Sequence, residues 1–453
     1  RTHPRIHLPL SRTLMRRSQS VGQRIDWLTV GIVATMMILG WLNVSSATAG
    51  ASPVDWLDWG SKQGKQLIWI LVCGVLAVVI LNIEGEFFIR TSILHYVINV
   101  VLLLTVLIIG KKVGGARSWF GFGSISIQPS EFAKPAAALL LAWLLSRGDG
   151  KLRDLKTLVQ SIAIVGIPAA LTLLQPDAGT TLVFGGLIFT LYREGLSGNV
   201  LIAGFCALLI TVASILTGAA TVDYPWIGEQ SAIGLLWLIL IVFCLVFWQL
   251  IPNIVVPRNR RRVRNTTWIS LVAAMLLSTG MHTGLEQLPR HQRERVQVLF
   301  GIDVSNPDAD YNIRHAKAAI GSGGLSGKGF LNGPMTAYGF VPEQETDFIF
   351  CTVGEEWGFL GSTCVIILFT VLLFRILAIA ERQRSDFTRV YAYGVVSILF
   401  MHYLINIGMV LGLAPVIGIP LPFFSAGGSS LMGFTLLVFI LLRLDAERVS
   451  VLR

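Results

Sequence analysis

The chain has 453 residues, of which 53% are hydrophobic and only 14% charged, with a mean hydropathy of +0.68 and a formal net charge of +10. This balance belongs to a polytopic membrane protein and excludes a soluble core. The five cysteines, Cys73, Cys206, Cys244, Cys351 and Cys364, lie in or beside apolar runs, with no CxxC pair and no histidine at ligand spacing, so neither a disulfide framework nor a zinc site is indicated.

Residues 1–25 form a basic N-terminal segment with six Arg and no acid. Apolar runs follow near 27–45, 67–83, 93–109, 131–146, 157–174, 198–217, 231–251, 266–283, 348–376, 390–413 and 424–444. Each reaches about 17 residues, enough to cross the hydrocarbon core. A shorter run at 179–192 follows the polar break "QPDAG", and counting it predicts about twelve transmembrane helices in an all-α fold. Lys and Arg concentrate in the N-terminal segment, in "RGDGKLRDLK", in "VPRNRRRVRN" and in "ERQRSDFTR". With twelve spans these all fall on one side, with both termini (the tail is 446–453), and the positive-inside rule makes that side cytoplasmic. The same bias, with contact to anionic membrane lipids, accounts for the net charge without nucleic acid.

The informative loops then lie outside: 46–66, 110–129, "QPDAG", 218–230, a long loop over 284–347 and "GLAPVIGIPLPFFSAGG". The last has Pro415, Pro420 and Pro422 followed by Gly427 and Gly428, and irregular backbone at membrane depth needs cover from protein or a watery cavity. An outer-face cavity is therefore expected.

Three constellations could carry chemistry. In "GGARSWFGFGSISIQPSEFAKPAAALLLAWLL", Ser130 and Glu131 suit a helix start, whereas Lys134 opposes the helix dipole. Its nearest partner is Glu131 at i, i+3, and the two either bind a polar or anionic head group in a cavity or leave Lys134 to snorkel to the interface. In "QPDAGTTLVF", Asp177 is either a helix cap or a substrate contact. The long loop carries Arg290, Arg293, Arg295, Arg314, His315, Lys317 and Lys328 around a Gly/Ser turn, and ends in "VPEQETDF". Basic groups and Gly-rich backbone suit a phosphate or pyrophosphate, and a carboxylate of raised pKa can take a proton from a hydroxyl. Asp347 sits where the chain enters the bilayer, with Glu355 roughly 12 Å deeper at helical rise, and charge placed there suggests function.

The ordered motifs "GARSWFGFGSISIQPSEFAK", "QPDAGTTLVF", "AIGSGGLSGKGFLNG", "PEQETDFIFCTVGEEWGFLGS" and "NIGMVLGLAPVIGIPLPFFSAGGSSL" resemble the SEDS family (shape, elongation, division and sporulation) over roughly residues 25–445. "GIPLPFFS" and "GKGFLNG" look more like its elongation branch, RodA, than its division branch, FtsW. The resemblance implies a peptidoglycan glycosyltransferase that polymerises lipid II on the outer face of the cytoplasmic membrane. Asp347 would be the general base, or would hold a divalent cation (Mg2+ or Mn2+) with Glu345. Substrate would meet Glu131, Lys134, Asp177, Arg293, Arg295, Lys317, Lys328, Glu343 and Ser425. Expected partners are a class B penicillin-binding protein, which is a transpeptidase, and other elongation-complex proteins.

Three departures stand out: Glu345 replaces the family's usual His, Ala426 replaces a Tyr in "FSAGGSS", and a hairpin of about 225–283 is added to a core of ten spans within the membrane domain 26–445. Two other readings remain. A lipid II flippase could use Glu355, Glu356, His402 and Asn406 as a proton relay, and a recruiting scaffold would leave the outer carboxylates without a role.

Overall fold

The structure is a computed structural model that describes residues 21–50, 58–113, 116–122, 125–147, 152, 154–219, 221–224, 228–287 and 307–448. The helices in chain order are α1 (Val21–Arg24), α2 (Trp27–Ala49), α3 (Lys62–Asn82), α4 (Gly85–Arg90), α5 (Ser92–Ile109), α6 (Pro129–Ser146), α7 (Leu155–Leu174), α8 (Ala178–Gly185), α9 (Ile188–Arg193), α10 (Gly198–Ala219), α11 (Ile233–Ile254), α12 (Arg260–Gln287), α13 (Pro307–Ser322), α14 (Pro334–Ala337), α15 (Ile349–Glu381), α16 (Asp386–Val410) and α17 (Gly428–Ala446). Among the described residues nine of them, α2, α3, α5, α7, α10, α11, α15, α16 and α17, are long and apolar enough to cross a membrane. The other three expected spans are also helical. α6 carries Glu131 and Lys134, α12 opens with an Arg-rich turn, and the run at 179–192 is split between α8 and α9.

The fold is all-α except for two small sheets in loops expected on the outer face, which the sequence reading did not anticipate. β1 (Lys111–Val113), β2 (Ala116–Phe122) and β3 (Ile125–Ile127) form an antiparallel meander, and β4 (Thr221–Tyr224) pairs with β5 (Gly228–Ser231).

Burial sorts the helices. The apolar stretch of α17 is 89% buried and that of α16 67%, against 11% for α10 and α11. A helix that is hydrophobic all round and buried forms a core, while an apolar helix left open faces lipid. α11 and α12, the hairpin expected over about 225–283, pack on α10: Ser214 Oγ donates to Ser278 O at 2.8 Å, and within the hairpin Trp237 Nε1 donates to Ser278 Oγ at 3.0 Å.

α2 and α15 run antiparallel and are pinned at both ends. At one end Asp26 caps α2 by accepting from Thr29 N, and it pairs with Arg375 at 2.8 Å and Arg382 at 3.1 Å. Burial pushes its carboxyl up, but the Thr29 amide and the two guanidinium groups outweigh this and hold it below the usual range. Arg382 also pairs with Asp445 at the end of α17, so three helix ends meet at one cluster on the expected cytoplasmic face. At the other end Ser46 Oγ bonds Glu356. Residues 356 and 375 are separated by about 28 Å of helical rise, close to the thickness of a bilayer core.

α15 is interrupted at Gly358 (φ 64, ψ −158). The break frees backbone groups that lipid cannot satisfy, and the Gly-rich loop after α13 satisfies them. Lys328 N donates to Glu355 O (3.1 Å) and Gly329 N to Glu356 O (2.9 Å), while Phe359 N donates to Gly324 O (2.9 Å) and Leu360 N to Leu325 O (3.1 Å). A Cβ on Gly358 would run into Gly327 N.

The Glu131–Lys134 pair corrects an expectation. It neither faces an open cavity nor lets Lys134 snorkel, because both side chains are buried (3% and 0% exposed) with Nζ 2.7 Å from Oε2. Lys134 Nζ also donates to His402 Nε2 at 2.8 Å and lies 5.0 Å above the Phe434 ring, and His402 Nδ1 donates to Pro420 O at 3.1 Å. That chain of contacts ties α6 and α16 to the proline-rich loop. A buried ammonium is tolerable only with such partners.

Two stability outcomes follow, both read from unfolding of detergent-solubilised protein. Glu131→Gln or Lys134→Met alone should each cost about 3–5 kcal/mol by stranding the other charge, and the double variant should recover part of that loss. Gly358→Ala should cost about 2 kcal/mol or more, since a side chain there both forces a left-handed backbone and meets the bound loop.

Candidate active site on the outer face

The loops that sequence spacing placed outside converge around the segment 341–348. Glu343 stands at φ +52, and its carbonyl accepts from Thr346 N and Phe348 N, both at 3.2 Å, which folds the acidic segment into a compact turn. Gln344 Nε2 anchors the turn by donating to Ala47 O (2.7 Å) and Thr336 O (2.9 Å). Glu345 O accepts from Ala426 N (2.9 Å), which joins the turn to the "FSAGGSS" loop. Gln66 binds that loop from α3 by accepting from Gly427 N (3.1 Å). Ser429 Oγ donates to Ser126 O and accepts from Gln128 N, bringing in the β-meander.

Most carboxylates gathered here are already engaged. Glu355 is fully buried and accepts from Lys328 Nζ (2.9 Å), Met335 N (2.9 Å), Thr336 N (2.8 Å) and Thr336 Oγ1 (2.7 Å), so it caps α14 and holds the Gly-rich loop. Glu356 holds Ser46 of α2, and Glu345 is ion-paired with Lys62 at the start of α3. Asp177 caps α8 through Thr180 N (3.0 Å) and Thr180 Oγ1 (2.8 Å), and accepts from Gln128 Nε2 (3.0 Å).

Asp347 differs. It is partly exposed, and among the described residues its carboxylate has neither an ion pair nor a hydrogen-bond donor. Only its backbone is held, its carbonyl accepting from Asn406 Nδ2 at 2.9 Å. Burial, and then the negative charges of Glu343, Asp177 and Glu345, push its pKa up to about 7. A carboxylate so placed gives up and takes a proton near neutral pH, as a general base must.

The remaining expected substrate contacts divide. Lys317 is exposed on α13 and lies against Gly412. Lys328 is committed to Glu355 and Ser322, and Ser425 is buried with Oγ accepting from Leu421 N at 2.8 Å, so both build the loops. Glu343 is exposed beside Asp347. Arg293 and Arg295, with Arg290, lie outside the described residues. Of the carboxylates suited to a divalent cation, Glu345 is taken by Lys62, and among the described residues no three His, Cys, Asp or Glu side chains could hold a metal. Asp347 alone is uncommitted. It suits an ion such as Mg2+, which commonly takes one or two protein carboxylates and completes its shell with water and substrate phosphates.

Sequence reasoning missed Lys62, Gln66, Gln128, Gln344 and Ser46. Lys62 offered a signal, since a cation in the first turn of a helix opposes the dipole and calls for a partner. Ser46 and Asn43 offered another, as polar residues within an apolar span.

The sequence profile of the FTSW_RODA_SPOVE family, described as cell cycle protein, matches residues 26–238 and 227–450. Peptidoglycan glycosyltransferase RodA of Treponema pallidum (strain Nichols) is 30% identical over 390 residues, covering 85% of this chain and 89% of that one. Peptidoglycan glycosyltransferase MrdB of Escherichia coli (strain K12) is 34% identical over 339 residues, 74% of this chain and 73% of that one. Among solved structures, a chain of a peptidoglycan synthase complex that coordinates polymerization and crosslinking is similar with a TM-score of 0.66 at 24% identity, covering 94% of this chain and 98% of that one. The Thermus thermophilus rod shape determining protein RodA gives 0.57 at 23% identity, covering 94% and 97%. At such identity these two structures speak for the fold, and the profile and relatives for the family: the chain belongs to the FtsW/RodA/SpoVE family of multi-pass membrane proteins.

Proposed function

We infer that this protein is a peptidoglycan glycosyltransferase of the cytoplasmic membrane, polymerising lipid II into glycan strands during cell elongation. Family membership and the names of its relatives support the activity. The observation that carries the chemistry is Asp347, an uncommitted carboxylate tuned to about pH 7 at the outer end of α15. Asp347 takes the proton of the acceptor sugar hydroxyl as that oxygen attacks the donor's anomeric carbon. The bond from that carbon to the lipid pyrophosphate breaks, and the pyrophosphate leaves with the electron pair. Base catalysis of this kind works best with a pKa near the operating pH.

Lys317, with Arg293 and Arg295, is assigned to the pyrophosphate, where fixed positive charge stabilises the leaving group. Were Asp347 instead to hold a divalent cation, the ion would supply charge neutralisation there in place of base catalysis by the carboxylate. A class B penicillin-binding protein is the proposed crosslinking partner, in keeping with the synthase complex that shares this fold, and other elongation-complex proteins are proposed to assemble around the pair. Against a flippase stand the ion pairs that clamp α2, α15 and α17 together at the opposite face, since alternating access would have to break them.

The test is incubation of purified protein with labelled lipid II, with and without the penicillin-binding protein and Mg2+ or Mn2+. Glycan strands are expected, with a rate that rises with pH through a midpoint of about 7 as Asp347 ionises. Glu343→Gln removes one neighbouring negative charge and should move that midpoint to lower pH. Lipid II that crosses vesicle bilayers without being polymerised would favour transport instead.

A further inference from the structure

Asn406 lies near the C-terminal end of the buried core helix α16 and is fully buried, yet among the described residues its carboxamide leaves Oδ1 without a donor. A buried polar group left half-satisfied is costly, so its place in the core is not explained by packing. What the amide does make is two strong contacts: Nδ2 donates to Asp347 O at 2.9 Å and to Ile419 O at 2.6 Å. Both acceptors are carbonyls, which accept only, so the orientation of the amide is fixed.

One NH2 group therefore staples the residue bearing the uncommitted carboxylate to the proline-rich loop. The loop is in turn held one helical turn away, where His402 Nδ1 donates to Pro420 O while Lys134 occupies Nε2. Gly418, immediately before Ile419, has φ +69 and lies so close that a Cβ there would stand 3.0 Å from Asp347 Oδ2. Glycine is required at that point both by the backbone and by the carboxylate.

We propose that Asn406 is a positioning residue for the Asp347 carboxylate, fixing it against Gly418 by clamping the Asp347 and Ile419 carbonyls together. This rests on the glycosyltransferase reading. Asn406 touches no reacting atom, so its loss should leave substrate affinity alone and slow the chemical step. Misplacing a reacting group by about 1 Å costs on the order of 10²-fold.

The experiment compares wild type, Asn406→Leu, Asn406→Gln and Gly418→Ala as full-length detergent-purified proteins, measuring kcat and KM for lipid II polymerisation, equilibrium lipid II binding and thermal unfolding. The expected result is a fall in kcat of about 10- to 100-fold for Asn406→Leu with KM and binding unchanged, and partial recovery in Asn406→Gln, which keeps the donor. Gly418→Ala should show the same split of kcat from KM from the other side of the carboxylate, and it keeps the proposal testable if Asn406→Leu fails to fold. Wild-type kcat in folded Asn406→Leu, a loss expressed only in KM or binding, or Asn406→Gln no better than Asn406→Leu would each overturn the proposal. Should Gly418→Ala be the readable variant, an unchanged kcat would do the same. Wild type that binds lipid II without polymerising it would refute the enzymatic reading itself.

Discussion

The half of this protein that carries the candidate site depends on the interruption of one helix. A span that stops and restarts at Gly358 leaves backbone N–H and C=O groups bare in a medium that offers no water, each at a cost of several kcal/mol. The Gly324–Gly329 segment meets those groups with four backbone hydrogen bonds, and Glu355 secures the same segment by binding Lys328 and the amides of α14. The loop is thereby part of the membrane core and not an appendage to it. Because the acidic turn 341–348 hangs between that loop and α15, its geometry is set by the same contacts.

The acids at the mouth of α15 divide by the company they keep. Glu355, Glu356 and Glu345 each find a donor in a different element and so tie α14, α2 and α3 to the site. Among the described residues Asp347 has none, and burial, followed by the negative charges of Glu343, Asp177 and Glu345, raises its pKa. Its ionised form is therefore disfavoured by the fold. Asp347's own contribution to stability is full below the ordinary carboxylate pKa and is lost progressively as pH rises toward about 7, the direction expected where function is held at the expense of stability.

Much of this was readable from local pattern. Apolar run length located the spans, "QPDAG" marked the break between α7 and α8, and the spacing of Glu131 and Lys134 gave the ion pair. The partners that decide what each charge does were not readable, because they are distant in the chain: Glu345 meets Lys62 across 283 positions and Lys134 meets His402 across 268. A local reading could see that Lys134 needed company but not that a histidine would bury it. α12 begins at Arg260, ahead of its apolar run at 266, because arginine is a good helix former whatever its hydropathy. Strands in the 110–129 loop escaped because short hairpins leave a weak periodic signal.

The most direct test of this division of labour is to make Asp347→Asn and read melting, lipid II binding and glycan synthesis on the same preparation above pH 7. The account predicts a protein that melts no lower than wild type, binds lipid II as before and makes no glycan strands, since Asn relieves the buried charge and removes the base. A variant that polymerises like wild type, or one that unfolds or loses its substrate, would contradict it by showing that Asp347 either does not react or holds the fold like its neighbours.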